Sequence, residues 1–212
     1  ERFARRLWYL DMSGRPGSGV VLPLLYRLGS ESWREVADRP LTTFLKLDPY
    51  LSSAPILGAN ALTGVGVPAG MVLAALGLQL DQAPSLVGSP ELWQRRLDTL
   101  ATSCPDVAPA VDYFRTEYMP LKPADRSMRS SSFLAKVADL ALDPMLKAMF
   151  CGASSSLDFD RLLAERAVVI CDFRGEVNPG FLRLKSRWVF DCFMTWVCMG
   201  SDRLGVSLHA RV

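Results

Sequence analysis

Three short apolar runs each end in an aspartate: LWYLD closes at Asp11, TTFLKLD at Asp48 and AVVICD at Asp172. Runs of this length, rich in aromatic or β-branched residues and followed by turn formers, predict the buried strands of a parallel sheet. In such a sheet the ligand crevice lies outside the carboxyl ends of the strands, so Asp11, Asp48 and Asp172 are placed to meet a metal, a water or a polar ligand. The same carboxylates can instead cap the turn or helix that follows each strand. The sequence leaves both readings open.

The stretches between these runs set the rest of the expected fold. GVVLPLLYRLGSESWREVADRP predicts a helix over 20–28 closed by Gly29, then a loop or short helix up to Pro40, which makes a βαβ-like unit. PYLSSAPILGANALTGVGVP, rich in Pro, Gly and Ser, reads as an extended connection. Over 69–150 nothing alternates like a strand, and four segments carry helical spacing. Ser89, Pro90 and Glu91 give an N-cap and first turn, with Leu92, Leu97 and Leu100 on one side. LDFDRLLAER then reads as a short helix or turn, and GFLRLKSRWVFDCFMTWVCMGSDR as a long helix after the third strand. The expected fold class is therefore α/β, a mostly parallel sheet core with an inserted all-helical subdomain: 1–62 and 156–212 form the core, 63–155 the insertion.

The turn after the first run raises a question of nucleotide binding. Gly14 and Gly19 have the spacing of a phosphate-binding loop, but Val20 and Val21 stand where Lys and Ser or Thr would be needed. Valine can neither hold the β/γ-phosphates nor ligate Mg²⁺. Backbone amides there could still form an anion nest, although Pro16 removes one donor and Arg15 would be the cation, and the alternative is a plain tight turn. AVVICDF likewise resembles a Walker B strand only weakly, since Phe173 follows Asp172 and the next acid is Glu176.

Composition narrows the classes further. The 212 residues can bury a sizeable core, and no stretch approaches about 18 uninterrupted apolar residues, so no transmembrane segment is expected despite a mean hydropathy of +0.16. WVFDCFMTWVCMG carries Asp191 and reads as a helix buried on most sides. A net charge of +2 does not mark a nucleic-acid binder, and the clusters Arg2, Arg5, Arg6 and Arg183, Lys185, Arg187 read as solvated faces. Five cysteines without C-x-x-C spacing read as reduced core thiols of a cytoplasmic protein. His209 is the single histidine, which disfavours a Ser-His-Asp or Cys-His hydrolase. No metal site is expected. The sequence starts at Glu1 and a strand-like pattern begins at SLHARV, so it reads as a piece of something longer.

Taken in order, these pieces resemble the interior of a HerA/FtsK-type P-loop ATPase, the group that includes conjugative coupling and type IV secretion motors. WYLDMSGRPGS resembles that family's strand-end phrase, with Asp11 matching its Asp and Met12 departing from its Pro. FLKLDPYLSSAPILGANAL resembles a second Asp-Pro strand followed by an Asn-Pro-Leu phrase through Asp48, Pro49, Asn60 and Leu62, with Ala61 in place of Pro. DPMLKAMFCGASSSLDFDRLLAERAVVICDF is the best match, through Asp143, Pro144, Phe150, Leu157, Asp158, Leu162, Leu163 and Asp172.

The resemblance implies a RecA-like core segment of an ATP-driven DNA-translocation or secretion motor, with Walker A before Glu1 and Walker B after Val212. ATP and Mg²⁺ would serve the complete protein and neither would be used by this chain alone, which lacks the catalytic motifs. It further implies a homo-oligomeric ring, DNA as a possible cargo, and a cytoplasmic position that can be peripheral to the inner membrane. Arg203 or Arg187 would be the arginine reaching a neighbouring subunit's nucleotide, and Asp11, Asp48 and Asp172 the polar residues nearest it. The alternative is a non-catalytic scaffold or assembly protein derived from such a domain. A small-molecule enzyme of flavodoxin-like or Rossmann type, using the same aspartates, is disfavoured because G-x-G-x-x-G and an acid/base pair are missing.

Overall fold

A computed structural model describes residues 6–13, 19–47 and 55–204, with backbone alone for 55–61 and 200–204. Strand β1 (Leu7–Asp11) is followed by α1 (Trp33–Leu47), α2 (Pro55–Ala75), α3 (Ala83–Gly88), α4 (Gln94–Ser103) and α5 (Ala108–Asp112), which continues as a π-helical turn Tyr113–Tyr118. Next come α6 (Pro123–Leu142), α7 (Pro144–Phe150), α8 (Phe159–Ala164), strand β2 (Val168–Asp172) and α9 (Pro179–Leu204). The expected α/β class is overturned: among the described residues the protein is mostly helical, and its sheet is one pair of parallel strands rather than a RecA-like core.

The correction has a local cause. TTFLKL, expected as the second strand, is the last part of α1. Ser32 and Glu35 form a capping box: the Ser32 amide donates to Glu35 Oε2 at 2.7 Å and the Glu35 amide to Ser32 Oγ at 3.3 Å. From that nucleus Val36, Ala37, Pro40, Leu41 and Phe44 fall on one buried helical face. Asp48 lies outside the described residues.

The helix expected over 20–28 is replaced by irregular chain. Pro23 supplies no amide and disfavours helical geometry at Leu22. The segment is instead strapped to the end of α7, with the Leu22 amide donating to the Met149 carbonyl at 2.6 Å, Leu24 to Phe150 at 3.0 Å and Ser156 to Val21 at 2.7 Å. The glycine-rich connection expected after Asp48 is in large part α2, in which Gly66 and Gly70 let α1 approach closely.

The core is centred on the α1–α2 pair. α6 covers α2 with Phe133, Val137 and Leu140, and Phe114 and Tyr118 of the π-turn are fully buried. α9 closes the other side through Trp188, whose indole donates to the Leu22 carbonyl at 3.2 Å. Of the leucines expected on one side of α4, Leu97 and Leu100 are buried but Leu92 is 82% exposed, because it precedes α4 in a 3-10 turn that Ser89 begins without a side-chain cap. The caps that do form are Asp143, accepting from the Met145 and Leu146 amides, and Asp158, accepting from Arg161.

β1 and β2 pair in register from Leu7↔Val168 to Asp11↔Asp172. Leu10 is buried and Trp8, Val169 and Cys171 pack toward the core, whereas Leu7, Tyr9, Val168 and Ile170 stand exposed on the opposite face. No single helix among the described residues is long and apolar enough to cross a membrane.

Candidate functional site

The in-register pairing brings two of the three sequence-predicted aspartates together at the carboxyl end of the sheet. Each closes the turn behind its own strand. Asp11 Oδ1 accepts the Ser13 amide at 2.9 Å, and Asp172 Oδ1 accepts the Arg174 amide at 2.9 Å. Gly175, with φ of 91°, then turns the chain toward α9.

Asp172 is the most heavily engaged group. The Arg174 guanidinium grips both carboxylate oxygens, with Nε at 3.0 Å from each and Nη2 at 2.7 Å from Oδ2, and the Tyr9 hydroxyl donates to Oδ2 as well. Arg174, Tyr9 and the Arg174 amide together hold the Asp172 carboxyl far below its ordinary range, and the same contacts raise Arg174. The unfolded chain therefore binds a proton at Asp172 more readily than the folded one. Its contribution to stability is complete above about 3.8 and is lost as pH falls toward the lower folded value. Asp172→Asn is expected to flatten the acid limb of a thermal-midpoint profile taken from about pH 5 to pH 2; an unchanged limb would mean that this carboxylate is solvated like a free one.

Below the aspartates lies a buried ion pair. Lys185 is 2% exposed and Glu176 8%, and the ammonium donates to Glu176 and, at 3.1 Å, to the Met12 carbonyl. One cation thus ties the turn after β1, the loop after β2 and α9. This overturns the solvated-face reading of Lys185, which sits on the buried stripe Leu184, Lys185, Trp188, Cys192 of α9. Sequence reasoning missed it although the helical spacing was legible. It also missed Tyr9 and Arg174.

The remaining predicted residues are elsewhere. Arg187 is bound within its own helix to Asp191 at 2.9 Å and lies against Phe190. Arg203 falls in the last turn of α9, and its side chain, like Asp48, residues 14–18 and His209, lies outside the described residues. Burial pushes the Cys151 and Cys192 thiols up to about 11, so neither is a ready nucleophile. Cys198, in contrast to the core reading, is exposed.

Several grooves flank α9 among the described residues, two of them opposite in polarity. A polar one of about 410 Å³ against α1 is lined by Glu31, Glu35, Asp38, Arg39 and Asp191. These groups are already engaged: Glu31 pairs with Arg39 at 3.0 Å and Asp191 with Arg187, while Asp38 accepts the Thr42 hydroxyl, Glu35 the Ser32 amide and hydroxyl, and Asp191 the Thr43 hydroxyl. Burial raises Glu31 above the usual carboxylate range despite Arg39. An apolar groove of about 390 Å³ lies between α8, β2 and α9.

Among the described residues no group of three or more His, Cys, Asp or Glu can hold a metal ion, and the strand-end carboxylates do not present a Mg²⁺ shell while Arg174, Tyr9 and Ser13 occupy them. The arrangement locks two strand ends together. No family model, curated protein or solved structure matches the chain.

Proposed function

We propose that this chain is a non-catalytic portion of an ATP-driven DNA-translocation or secretion motor of the HerA/FtsK type, contributing structure and assembly surface rather than hydrolysis. The observation that carries this reading is the saturation of the strand-end site: Asp172 is clamped by Arg174 and Tyr9, Asp11 caps Ser13, and Lys185 is spent on Glu176 and Met12. Phosphoryl transfer depends almost wholly on positioned cations and a ligated Mg²⁺, and this end of the sheet offers neither to a nucleotide. The motor resemblance rests on the order of the sequence phrases around Asp11, Asp48, Asp143 and Asp172. The two aspartate-ended strands pair directly although the whole helical block intervenes between them in sequence.

In this reading ATP and Mg²⁺ bind to segments of the complete protein other than this one, and a ring of copies moves DNA or feeds a secretion channel. The second reading, a free-standing scaffold derived from such a domain, shares the same site. Calorimetry of the isolated chain with Mg-ATP is expected to give no binding up to about 1 mM. Micromolar binding would overturn both readings. The intact mass of the polypeptide from its native source separates them: well above 23.4 kDa fits the motor, about 23.4 kDa the scaffold.

A further inference from the structure

We propose that the apolar groove between α8, β2 and α9 binds a small amphipathic monocarboxylate, its apolar body laid on a wall of aromatic rings and its carboxylate held by Arg166.

The wall is built from α8 and α9. Phe159, Phe193 and Trp196 stand with ring centroids 5.6 to 6.3 Å apart, Phe159 and Trp196 stacked. The Trp196 indole is fixed by donating to Asp160 Oδ1 at 3.1 Å. Leu162, Val169 and Cys171 continue the lining, which contains no acid. Burial raises the Cys171 thiol, so it lines the groove as a neutral group. The volume of about 390 Å³ is that of a small-molecule site. A cleft of this size takes in a small molecule whole, but gives a protein partner only part of the roughly 800 Å² it would bury on this side.

Arg166 is the one charged residue among those lining the groove. It closes α8 in a Schellman turn: the Arg166 amide donates to the Leu163 carbonyl at 2.9 Å, the Ala167 amide to the Leu162 carbonyl at 2.8 Å, and φ at Arg166 is 50°. Glycine is the usual residue at that left-handed position, and a side chain there is strained. Strained backbone of this kind clusters at ligand sites, and what this residue adds is a guanidinium beside an apolar groove. Among the described residues the guanidinium has no ion pair or side-chain hydrogen bond. The nearby acids are engaged elsewhere: Glu165 by Arg161 and the Trp8 indole, Asp158 by the Arg161 amide, and Asp160 by Trp196.

An apolar groove with one unmatched cation is complementary to an apolar body that carries one negative charge. The planar fork of a guanidinium matches a carboxylate. A doubly charged phosphate is disfavoured, because the carbonyl end of α8 lies at the same turn and no second cation lines the groove.

Amide NMR of the full chain, titrated with decanoate and with decanol as its uncharged counterpart, tests this. Decanoate is expected to saturate with a Kd below about 100 μM, shifting the Ala167 and Val169 amides and the Trp196 indole. It is expected to bind at least about tenfold more tightly than decanol. Arg166→Gly leaves the rings and aliphatic walls in place and suits a φ of 50°, so the urea midpoint should not fall and lost binding is separated from lost fold. That variant is expected to bind decanoate at least about tenfold more weakly and decanol as before. Phe193→Ala, at a half-exposed ring, is expected to weaken both ligands alike. No saturable binding up to about 1 mM, decanol binding as tightly as decanoate, or decanoate binding that survives Arg166→Gly would each overturn the proposal. Shifts that spare Ala167 and Trp196, or binding untouched by Phe193→Ala, would overturn it by placing the ligand elsewhere.

Discussion

Gly70→Leu is expected to be among the most destabilising single substitutions in the protein, lowering stability by about 2–3 kcal/mol after the gain in helix propensity is counted. A Cβ built at Gly70 of α2 would stand 2.8 Å from the Ala37 Cβ and 3.3 Å from its Cα, so α1 itself must retreat. One turn earlier, Gly66 faces Leu41 at 2.9 Å and Phe133 at 3.0 Å, where flexible side-chain ends can give way. Gly64, also in α2, has nothing within 4 Å, and Gly64→Ala is expected to stabilise by about 0.5–1 kcal/mol. Urea unfolding of Gly70→Leu and Gly64→Ala separates close packing from propensity. Ala37→Gly should recover part of the loss in Gly70→Ala, leaving the 3.3 Å backbone approach as the residue of strain. Equal losses for leucine at 64 and at 70 would mean that the helices do not meet at Gly70.

That contact also marks where the sequence misleads. PILGANALTGVGVPAG has the composition of a loop, yet Gly66 and Gly70 serve helix approach rather than chain reversal, and propensity gives way to tertiary packing. TTFLKL has the local look of a strand, but the Ser32/Glu35 capping box ten residues upstream commits it to α1. LWYLD and AVVICD have no such competing signal: each is short, apolar, and bounded by an aspartate that accepts the amide two residues on. They are the two strands that form among the described residues. Helical spacing was equally legible in α6 and α9, where burial follows the apolar stripe.

At the candidate site, the sequence marked the acceptors and missed the donors. Asp11 and Asp172 are visible because an acid after an apolar run is conspicuous. Arg174 and Tyr9 reach Asp172 from the following turn and the neighbouring strand, and the second of these is knowable only once β1 and β2 are paired. In the structure Asp11 and Asp172 each cap the turn behind their own strand.

Lys185→Ala is expected to cost about 3–5 kcal/mol, because it leaves the Glu176 carboxylate buried without a counter-charge and removes the donor to the Met12 carbonyl. The size of the effect comes from what is left behind rather than from the strength of the pair. Replacing both partners, Lys185→Met with Glu176→Gln, should cost far less than the two single changes added together, since no naked charge then remains. Because one ammonium holds the turn after β1 to the loop after β2, Lys185→Ala should also speed amide exchange at Met12 and Ser13 while exchange in α6 is unchanged. A uniform rise across both regions would mean global loosening instead of a released strand end. A loss under about 1 kcal/mol would mean that water reaches the ammonium in the folded protein, and the strand ends would then be held by Arg174 and Tyr9 at the surface alone.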